Sequence, residues 1–460
     1  MNQPNILYLH SHDTGRYVQP YGHAVPTPNL QRLAEEGVLF RQAYNAAPTC
    51  SPSRAALLTG QAPHSCGQFG LVNRGFELRD RHKHLAHTLR TAGYHTALTG
   101  VHHVVRDPLT CGYDQWLRGH TREASSIADK AIAYLSDPPG QPFFLAVGFV
   151  ETHRRFPEPG PADCESTATQ GYRHTTGQGY GRTAVRPYIL PPVPLPDTPE
   201  TRYDMAAYKA SARILDEAMG AVLNALDENS LAENTLVVCT TDHGIAFPGM
   251  KCTLTDGGTG VMLILRGPGG FGGGQVSDAL VSHVDLFPTI CELCGIDPPG
   301  WLQGRSLLPL ARGQAEEVND CVYAEVNYHC NYEPKRALRT KRWKYIRRYA
   351  EYGYPMLANI DDSPSKSVWM AHGLAQRPLA AEELYDLVFD PNQAHNLATD
   401  PARESVLAEM RGRLHDWMMA TGDPLLKGPI PPPEGAAVSR PEDVSPGDVW
   451  HYTERREGLA

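Results

Sequence analysis

Apolar and polar positions alternate in long blocks along the first two thirds of the chain. Residues 5–10, 142–150 and 235–240 are short, nearly continuous apolar runs, and another spans 261–265. Runs of this length, bounded by turn residues, predict strands buried on both faces. Between them apolar residues recur at helical spacing: Leu30, Leu33 and Ala34 between Thr27-Pro28 and Gly37, then 85–91, 124–135, 204–226 and 284–293. A further short strand is expected at 95–99, after Gly93. Strands alternating with helices predict an α/β fold with a doubly wound, mostly parallel sheet flanked by helices. In such sheets ligands bind beyond the carboxyl ends of the strands. That places His12-Asp13, residues 100–103, residues 151–154 and Asp242-His243-Gly244 where chemistry is expected.

The texture changes after Trp301. Segments 322–326, 336–338 and 343–345 are short and alternating, and 405–419 reads as a helix. The division expected is a catalytic α/β domain over 1–320 and, over 321–460, a smaller α+β subdomain with a small antiparallel sheet, a helix and an extended tail. The Pro-rich stretch after Pro429 reads as a surface wrap. Residues 157–199, rich in Gly, Pro, Thr and Tyr, read as a long insertion that walls a pocket.

Composition narrows the classes. A chain of 460 residues with 41% hydrophobic and 20% charged residues has the make-up of a globular protein. The net charge of −9 argues against nucleic acid or an anionic membrane as partner. No apolar run approaches the ~18 residues of a membrane span. The start, Met-Asn-Gln-Pro-Asn, enters a strand without a basic region or leader, so a cytoplasmic location is expected. Ten scattered cysteines are not a disulfide framework. Cys291 and Cys294 form a CxxC without a second pair, inside a helical pattern that does not suggest zinc.

The candidate chemistry centres on Cys50-Ser51-Pro52-Ser53-Arg54. Ser51 is a good N-cap and Pro52 suits the first helical position, with Gly60 as the stop. Cys50 is then expected just outside a helix N-terminus, where the helix dipole and Arg54 would activate a nucleophile or hold an anion. Two distant strand ends each carry an Asp beside a His, His12-Asp13 and Asp242-His243. Such carboxylate and imidazole pairs form a divalent-metal site.

Cys-x-Pro-x-Arg followed by Ala-Ala-Leu-Leu-Thr-Gly resembles the signature of the type I, formylglycine-dependent sulfatases of the alkaline phosphatase superfamily. Pro4 to Leu7, Thr27 to Leu30, Thr241 to Gly244, Lys251 to Gly258 and Glu383 to Asp386 resemble further landmarks in family order. His153-Arg154, Gly244 to Pro248, Gly304 to Pro309 and Asn396 to Pro401 are most similar to the heparan N-sulfatase (sulfamidase) branch. The resemblance implies an alkaline-phosphatase-like sandwich. It implies that Cys50, oxidised to formylglycine by a formylglycine-generating enzyme, holds one divalent metal ion with Asp13, Asp242 and His243, joined by His12. Arg54 would brace the aldehyde hydrate, Lys251 and His153 would grip the sulfate and protonate the leaving atom, and His103 would act as base or acid afterwards.

Three departures stand out. His12 occupies the place of a usual Asp, and His243 that of a usual Asn, as in the phosphonate monoester hydrolases. Two imidazoles favour manganese, zinc or iron over the family's calcium. Val101 stands where the family commonly has a Lys, and a protonated His102 is the expected substitute. His329 and Arg336, with Arg339, are candidate substrate contacts, and His64 a weaker one. The reading is a sulfatase acting on a sulfate ester or sulfamate of a small, saccharide-like substrate. The alternatives are a phosphonate monoester or phosphodiester hydrolase and a catalytically impaired binder of sulfated glycans. Whether copies form a homo-oligomer stays open.

Overall fold

All seven residues of the first strand, β1 (Asn5–Ser11), are buried because both of its faces are covered. The computed structural model describes residues 3–119, 121–154, 188–350 and 352–448, and the backbone of 450 and 451. Within it β1 joins β2 (Val38–Tyr44), β3 (His95–Gly100), β4 (Gln115–Leu117), β5 (Phe143–Gly148), β6 (Thr235–Thr241), β7 (Leu263–Arg266) and β8 (Gln275–Ser282). The order across this sheet is β4-β3-β5-β1-β6-β7-β2-β8. Neighbours run parallel except at β7, which is antiparallel to both β6 and β2.

Strand periodicity divides β1 between two cores. Ile6 and Tyr8 pack with Leu57, Leu89 and Phe287, from helices Cys50–Thr59, Leu85–Thr91 and Leu286–Cys294. Leu7 and Leu9 pack on the other face with Leu30, Ala131 and Met219, from helices Pro28–Glu36, Ala124–Ser136 and Pro199–Glu228. The expected α/β sandwich is therefore present. Register pairs His10 with Gly148 and Ser11 with Thr241, so the segments leaving β1, β5 and β6 emerge side by side at one edge.

A second sheet is antiparallel throughout, in the order β12-β11-β10-β9: β9 (Val322–Tyr328), β10 (Tyr332–Arg339), β11 (Trp343–Arg348) and β12 (Glu382–Asp386). Leu338, Tyr345 and Leu384 pack on Leu407, Met410 and Leu414 of helix Glu404–Thr421. Ala324, Val326, Ala337 and Ile346 pack with Leu254 of the first layer.

Some elements depart from expectation. Strands β2 and β8 carry Arg41, Gln42, Ser277 and Asp278, which break the apolar runs that marked the other strands. The long helix begins at Pro199, where a Thr198–Thr201 capping box starts it ahead of the periodic stretch. The tail is more than a surface wrap: Ala436 and Val438 are buried against Phe76 and Tyr328, and Ser439 N–H donates to Cys330 O at 2.8 Å. Most of the insertion expected at 157–199 lies outside the described residues. Ile189 and Leu195 are described, packed with Met205, Tyr208 and Phe247. Among the described residues no helix is long and apolar enough to cross a membrane.

Candidate active site

The Cys50 helix starts earlier than its spelling suggests. Cys50 is its first residue, and Ser53 N–H donates to Thr49 O at 2.9 Å. Ser51 does not cap it, because its Oγ accepts from Val72 N–H at 3.1 Å and ties down the next loop. Pro52 is tolerated because first-turn N–H groups have no intrahelical partner anyway. Ser53 Oγ donates to Asp242 O at 2.5 Å, fastening the helix to the end of β6. Arg54 follows from that anchoring: its Nη2 donates to Asp242 Oδ2 at 2.9 Å and to Ser11 O at 3.0 Å, and its Nη1 meets His10 Nδ1. The Cys50 thiol does not behave as the dipole argument expects. Burial pushes it well above its ordinary value, and Lys251 and Arg54 oppose that only in part. As a plain cysteine the residue is a neutral thiol, not a nucleophilic thiolate.

His12, Asp13, Cys50, Asp242 and His243 are all buried, and their ligand atoms lie within 4.8 Å of one another. Asp13 turns into the left-handed region, φ 54°. Two bonds hold it there: its N–H donates to Asp242 Oδ1 at 2.8 Å and its carbonyl accepts from Thr152 Oγ1 at 3.0 Å. His12 Nδ1 lies 2.7 Å from Asp13 Oδ1 and 3.1 Å from Asp242 Oδ2. His243 Nε2 lies 3.3 Å from Cys50 Sγ and 3.3 Å from Asp13 Oδ1. Burial opposes the charge on Asp13, yet Lys251 and the surrounding imidazoles hold its carboxyl well below the usual range; His12, His243 and Arg54 do the same for Asp242.

The donor set suits a divalent cation. His243 Nδ1 is 3.0 Å from Gly244 O, so Nδ1–H donates to that carbonyl and the Nε2 lone pair faces the cluster, the arrangement of a metal-ligating histidine. Two other buried groups fail the same test. In His84-His102-Cys111, His84 Nδ1 accepts from Ala86 N–H at 3.1 Å, which puts the proton of the neutral ring on Nε2, the atom facing His102 at 3.2 Å. In His64-Glu325-Asp423 the carboxylates are already engaged, since Arg336 forks onto Asp423 at 2.6 and 2.9 Å and lies 3.9 Å from Glu325, which His64 Nδ1 also meets.

The remaining expected residues divide. Lys251 Nζ donates to Asp13 Oδ2 and to Asp361 Oδ2, both at 2.9 Å, and the two carboxylates keep its ammonium well above the ordinary value against the effect of burial. His153 stacks edge-on against His12 with ring centroids 4.4 Å apart, and burial pulls it down to about 3. His103, at φ 56°, has Nε2 3.1 Å from Asn73 Oδ1, leaving Nδ1 buried and unpartnered among the described residues. His329 is buried and feels the charge of Lys251.

Four expectations need correction. His102 supplies no positive charge: burial, His84 and Arg54 hold it neutral, and its Nε2 is engaged with His84. Arg336 is 0% exposed and committed to Asp423, so it has no face for a substrate. Arg339 is likewise paired, with Asp256 at 3.2 Å. His64 belongs to the Arg336 network. Asp361 and Asn73 were missed; the first sits in Asn-Ile-Asp-Asp-Ser-Pro, at no strand end, and only packing brings it to Lys251. A cavity of about 580 Å³ is lined by Lys251 with Asn359, Ile360, Glu333, Lys335 and Trp369, and not by His12, Asp13, Cys50, Asp242 or His243.

A sulfatase family model matches residues 4–296. The chain belongs to the sulfatase family. A second model, of the C-terminal part of N-sulphoglucosamine sulphohydrolase, matches residues 251–371 of this sulfatase. The N-sulphoglucosamine sulphohydrolase of Homo sapiens is 30% identical over 464 residues, covering 92% of each chain. An ulvan-active sulfatase of Formosa agariphila is 29% identical, over 92% of this chain and 76% of its own. Among solved structures, one in complex with its substrate D-glucosamine-2-N,6-O-disulfate superposes with a TM-score of 0.68 at 21% identity, covering 93% of this chain and 99% of that one. The fold expected for the family is therefore the fold found.

Proposed function

We propose that this sulfatase cleaves a sulfate ester or sulfamate of a sugar, using formylglycine made from Cys50 and one divalent metal ion held by His12, Asp13, Asp242 and His243. The observation that carries this reading is the convergence of those four side chains on Cys50 at the buried end of its helix. The named relatives support a sugar substrate, and the cavity beside Lys251 has room for a sugar ring. Residue 50 matures through a formylglycine-generating enzyme, and the resulting hydrated aldehyde supplies the hydroxyl that attacks sulfur. The metal ion supplies Lewis acidity, and two imidazoles among its donors favour manganese, zinc or iron over calcium.

The chain's own side chains do the rest. Arg54 fixes Asp242 and the approach to residue 50. Lys251 presents its ammonium to the sulfate oxygens. His153, whose Nδ1–H donates to Arg154 O at 2.5 Å, is neutral with its lone pair on Nε2, so it would take the attacking hydroxyl's proton there and pass it to the leaving atom. His103, with Nδ1 unpartnered, is placed to take a proton in the second half-reaction. Charge also fits. Asp13, Asp242 and Asp361 bring three negative charges to this hydrogen-bonded network, and Arg54 and Lys251 two positive ones. A divalent ion turns the negative excess into one positive charge, which a sulfate monoester monoanion neutralises and a phosphate monoester dianion overshoots.

Phosphonate monoesters and phosphodiesters are monoanions too, and His243 favours that second reading. Turnover of aryl sulfate, glucosamine N-sulfate and a phenyl phosphonate ester separates the two, and clear preference for the phosphonate would overturn the sulfatase reading. Intact mass of the Cys50 peptide tests the nucleophile. Activity should track the formylglycine fraction, and Cys50→Ala should be inactive yet folded.

A further inference from the structure

The tail after Gly435 runs across three separate loops. At the first, Arg74 Nη2 donates to Pro446 O at 2.7 Å and Nη1 to Ala437 O at 3.4 Å. Arg74 is buried and meets no carboxylate among the described residues, so its charge is directed at those carbonyls. At the second, Ser439 N–H donates to Cys330 O at 2.8 Å and Asn331 Nδ2 to Arg440 O at 2.5 Å. At the third, Lys366 Nζ donates to Val444 O at 2.7 Å, and Ser445 Oγ donates to Asp362. The tail is braced within itself, since Ser439 Oγ donates to Asp448 O at 2.7 Å and Asp448 Oδ2 accepts from Ser445 N–H at 2.8 Å. Each loop also bears a residue tied to the candidate site. Asn73, next to Arg74, holds His103 Nε2 at 3.1 Å. His329, next to Cys330, feels the charges of both Lys251 and Arg74. Asp361 accepts from Lys251 Nζ at 2.9 Å, and it lies between Asp362 and Ile360, whose carbonyl takes a second bond from Lys366 at 2.7 Å.

We propose that residues 436–448 are a positioning element of the active site: through Arg74, Ser439 and Lys366, one segment fixes the loops that carry Asn73 with His103, His329, and Asp361 with Lys251. The inference rests on the roles proposed above for His103 and Lys251 and adds what sets their separation. Loops are the softest parts of a fold, and a shift of about 1 Å at reacting groups costs on the order of 100-fold in rate. A segment bonded to all three makes their positions interdependent, so releasing one contact loosens the loops at the others. Arg74 and Lys366 are positioning residues in this scheme, acting on His103 and Lys251 without touching the substrate.

The first test needs no turnover. Hydrogen exchange is followed in the full-length Cys50→Ala chain with and without Arg74→Met or Lys366→Met. Arg74→Met should speed exchange in 360–366, to which Arg74 makes no bond, and Lys366→Met should speed it in 72–75, each by about 10-fold. Effects confined to the loop that bears the substitution would make the tail a passive cover and overturn the proposal. Should a Met variant not fold, Ser445→Ala, which removes a single hydroxyl, takes its place and should loosen 72–75 in the same direction; unchanged exchange there would also overturn the proposal. The second test uses the metal-loaded, formylglycine-containing enzyme on glucosamine N-sulfate. Arg74→Met should lower kcat with little change in KM, and Lys366→Met should raise KM, each on the order of 10-fold. Arg74→Lys, which keeps a cation for the tail carbonyls, should recover most of the loss. Rates that merely follow the folded fraction, with KM unchanged in both Met variants, would overturn the proposal. If the wild-type chain hydrolyses no sulfate, the proposed function falls while the exchange measurement still decides the inference.

Discussion

Cys50 Sγ lies 3.3 Å from His243 Nε2, so the side chain proposed as the formylglycine precursor already touches an imidazole of the buried His-Asp cluster. The ring is fixed by its Nδ1–H bond to Gly244 O, and burial keeps it neutral by lowering its pKa against the pull of Asp242 and Asp13. A neutral, oriented imidazole binds borderline transition metals well and calcium poorly. His243→Asn, which replaces that nitrogen with an oxygen donor, should shift the preference from manganese or zinc toward calcium by about 10-fold or more. Metal content after dialysis against equal mixtures, with the affinity of each ion, reads this directly. An unchanged order of affinities would mean that His243 is not a ligand.

Arg336 and Asp423 carry a different kind of burden. Both are almost wholly buried, and the guanidinium forks onto the carboxylate while Glu325 and His64 share the same pocket. Removing one member of a buried pair leaves the other charge unpaired, so Arg336→Met should cost about 3–5 kcal/mol in denaturant unfolding. Its effect on kcat/KM should follow the folded fraction only. The pH dependence has a definite sign. Burial would raise Asp423, but Arg336 and His64 hold its carboxyl below the ordinary value, so the folded chain binds fewer protons than the unfolded one near pH 4. That contribution is complete above the unfolded carboxylate range and is lost as pH falls through the folded value. Arg336→Met should flatten the loss of stability below about pH 5 relative to wild type. A variant as stable as wild type, with sugar turnover selectively lost, would return Arg336 to the substrate.

These cases show what was legible from residue order and what was not. Strand-end pairs such as His12-Asp13 and Asp242-His243 are readable because a strand's end and a turn are local features, and parallel register then brings β1 and β6 together. The Cys50 motif was readable for the same reason, though its helix start was misjudged by two residues because Ser51 serves the Val72 loop. Side-chain partnership across the two layers was not readable. Arg336 looks available until Asp423, 87 positions later, closes on it. Asp361 lies 110 positions from Lys251 and in no periodic element. The state of the Cys50 thiol was misjudged because a helix dipole acts locally, whereas full burial depends on the whole fold.

Gly244 shows how closely the site depends on backbone packing. A Cβ there would lie 1.8 Å from Gly257 O and 3.0 Å from Gly258 Cα, and Gly244 N–H donates to Gly258 O at 3.0 Å. Two loops thus meet backbone to backbone, with no room for a methyl group. Gly244 O anchors His243, and Ile245 O accepts from Lys251 N–H at 3.2 Å, so any retreat of this turn carries His243 and Lys251 with it. A misplacement of about 1 Å at reacting groups costs on the order of 100-fold in rate. Gly244→Ala should therefore lower kcat/KM by about that factor and weaken metal retention together. Gly140→Ala, where nothing lies within 4 Å of the added carbon, serves as control and should change neither. Activity of Gly244→Ala within a few-fold of wild type would show that the turn yields without moving His243 or Lys251.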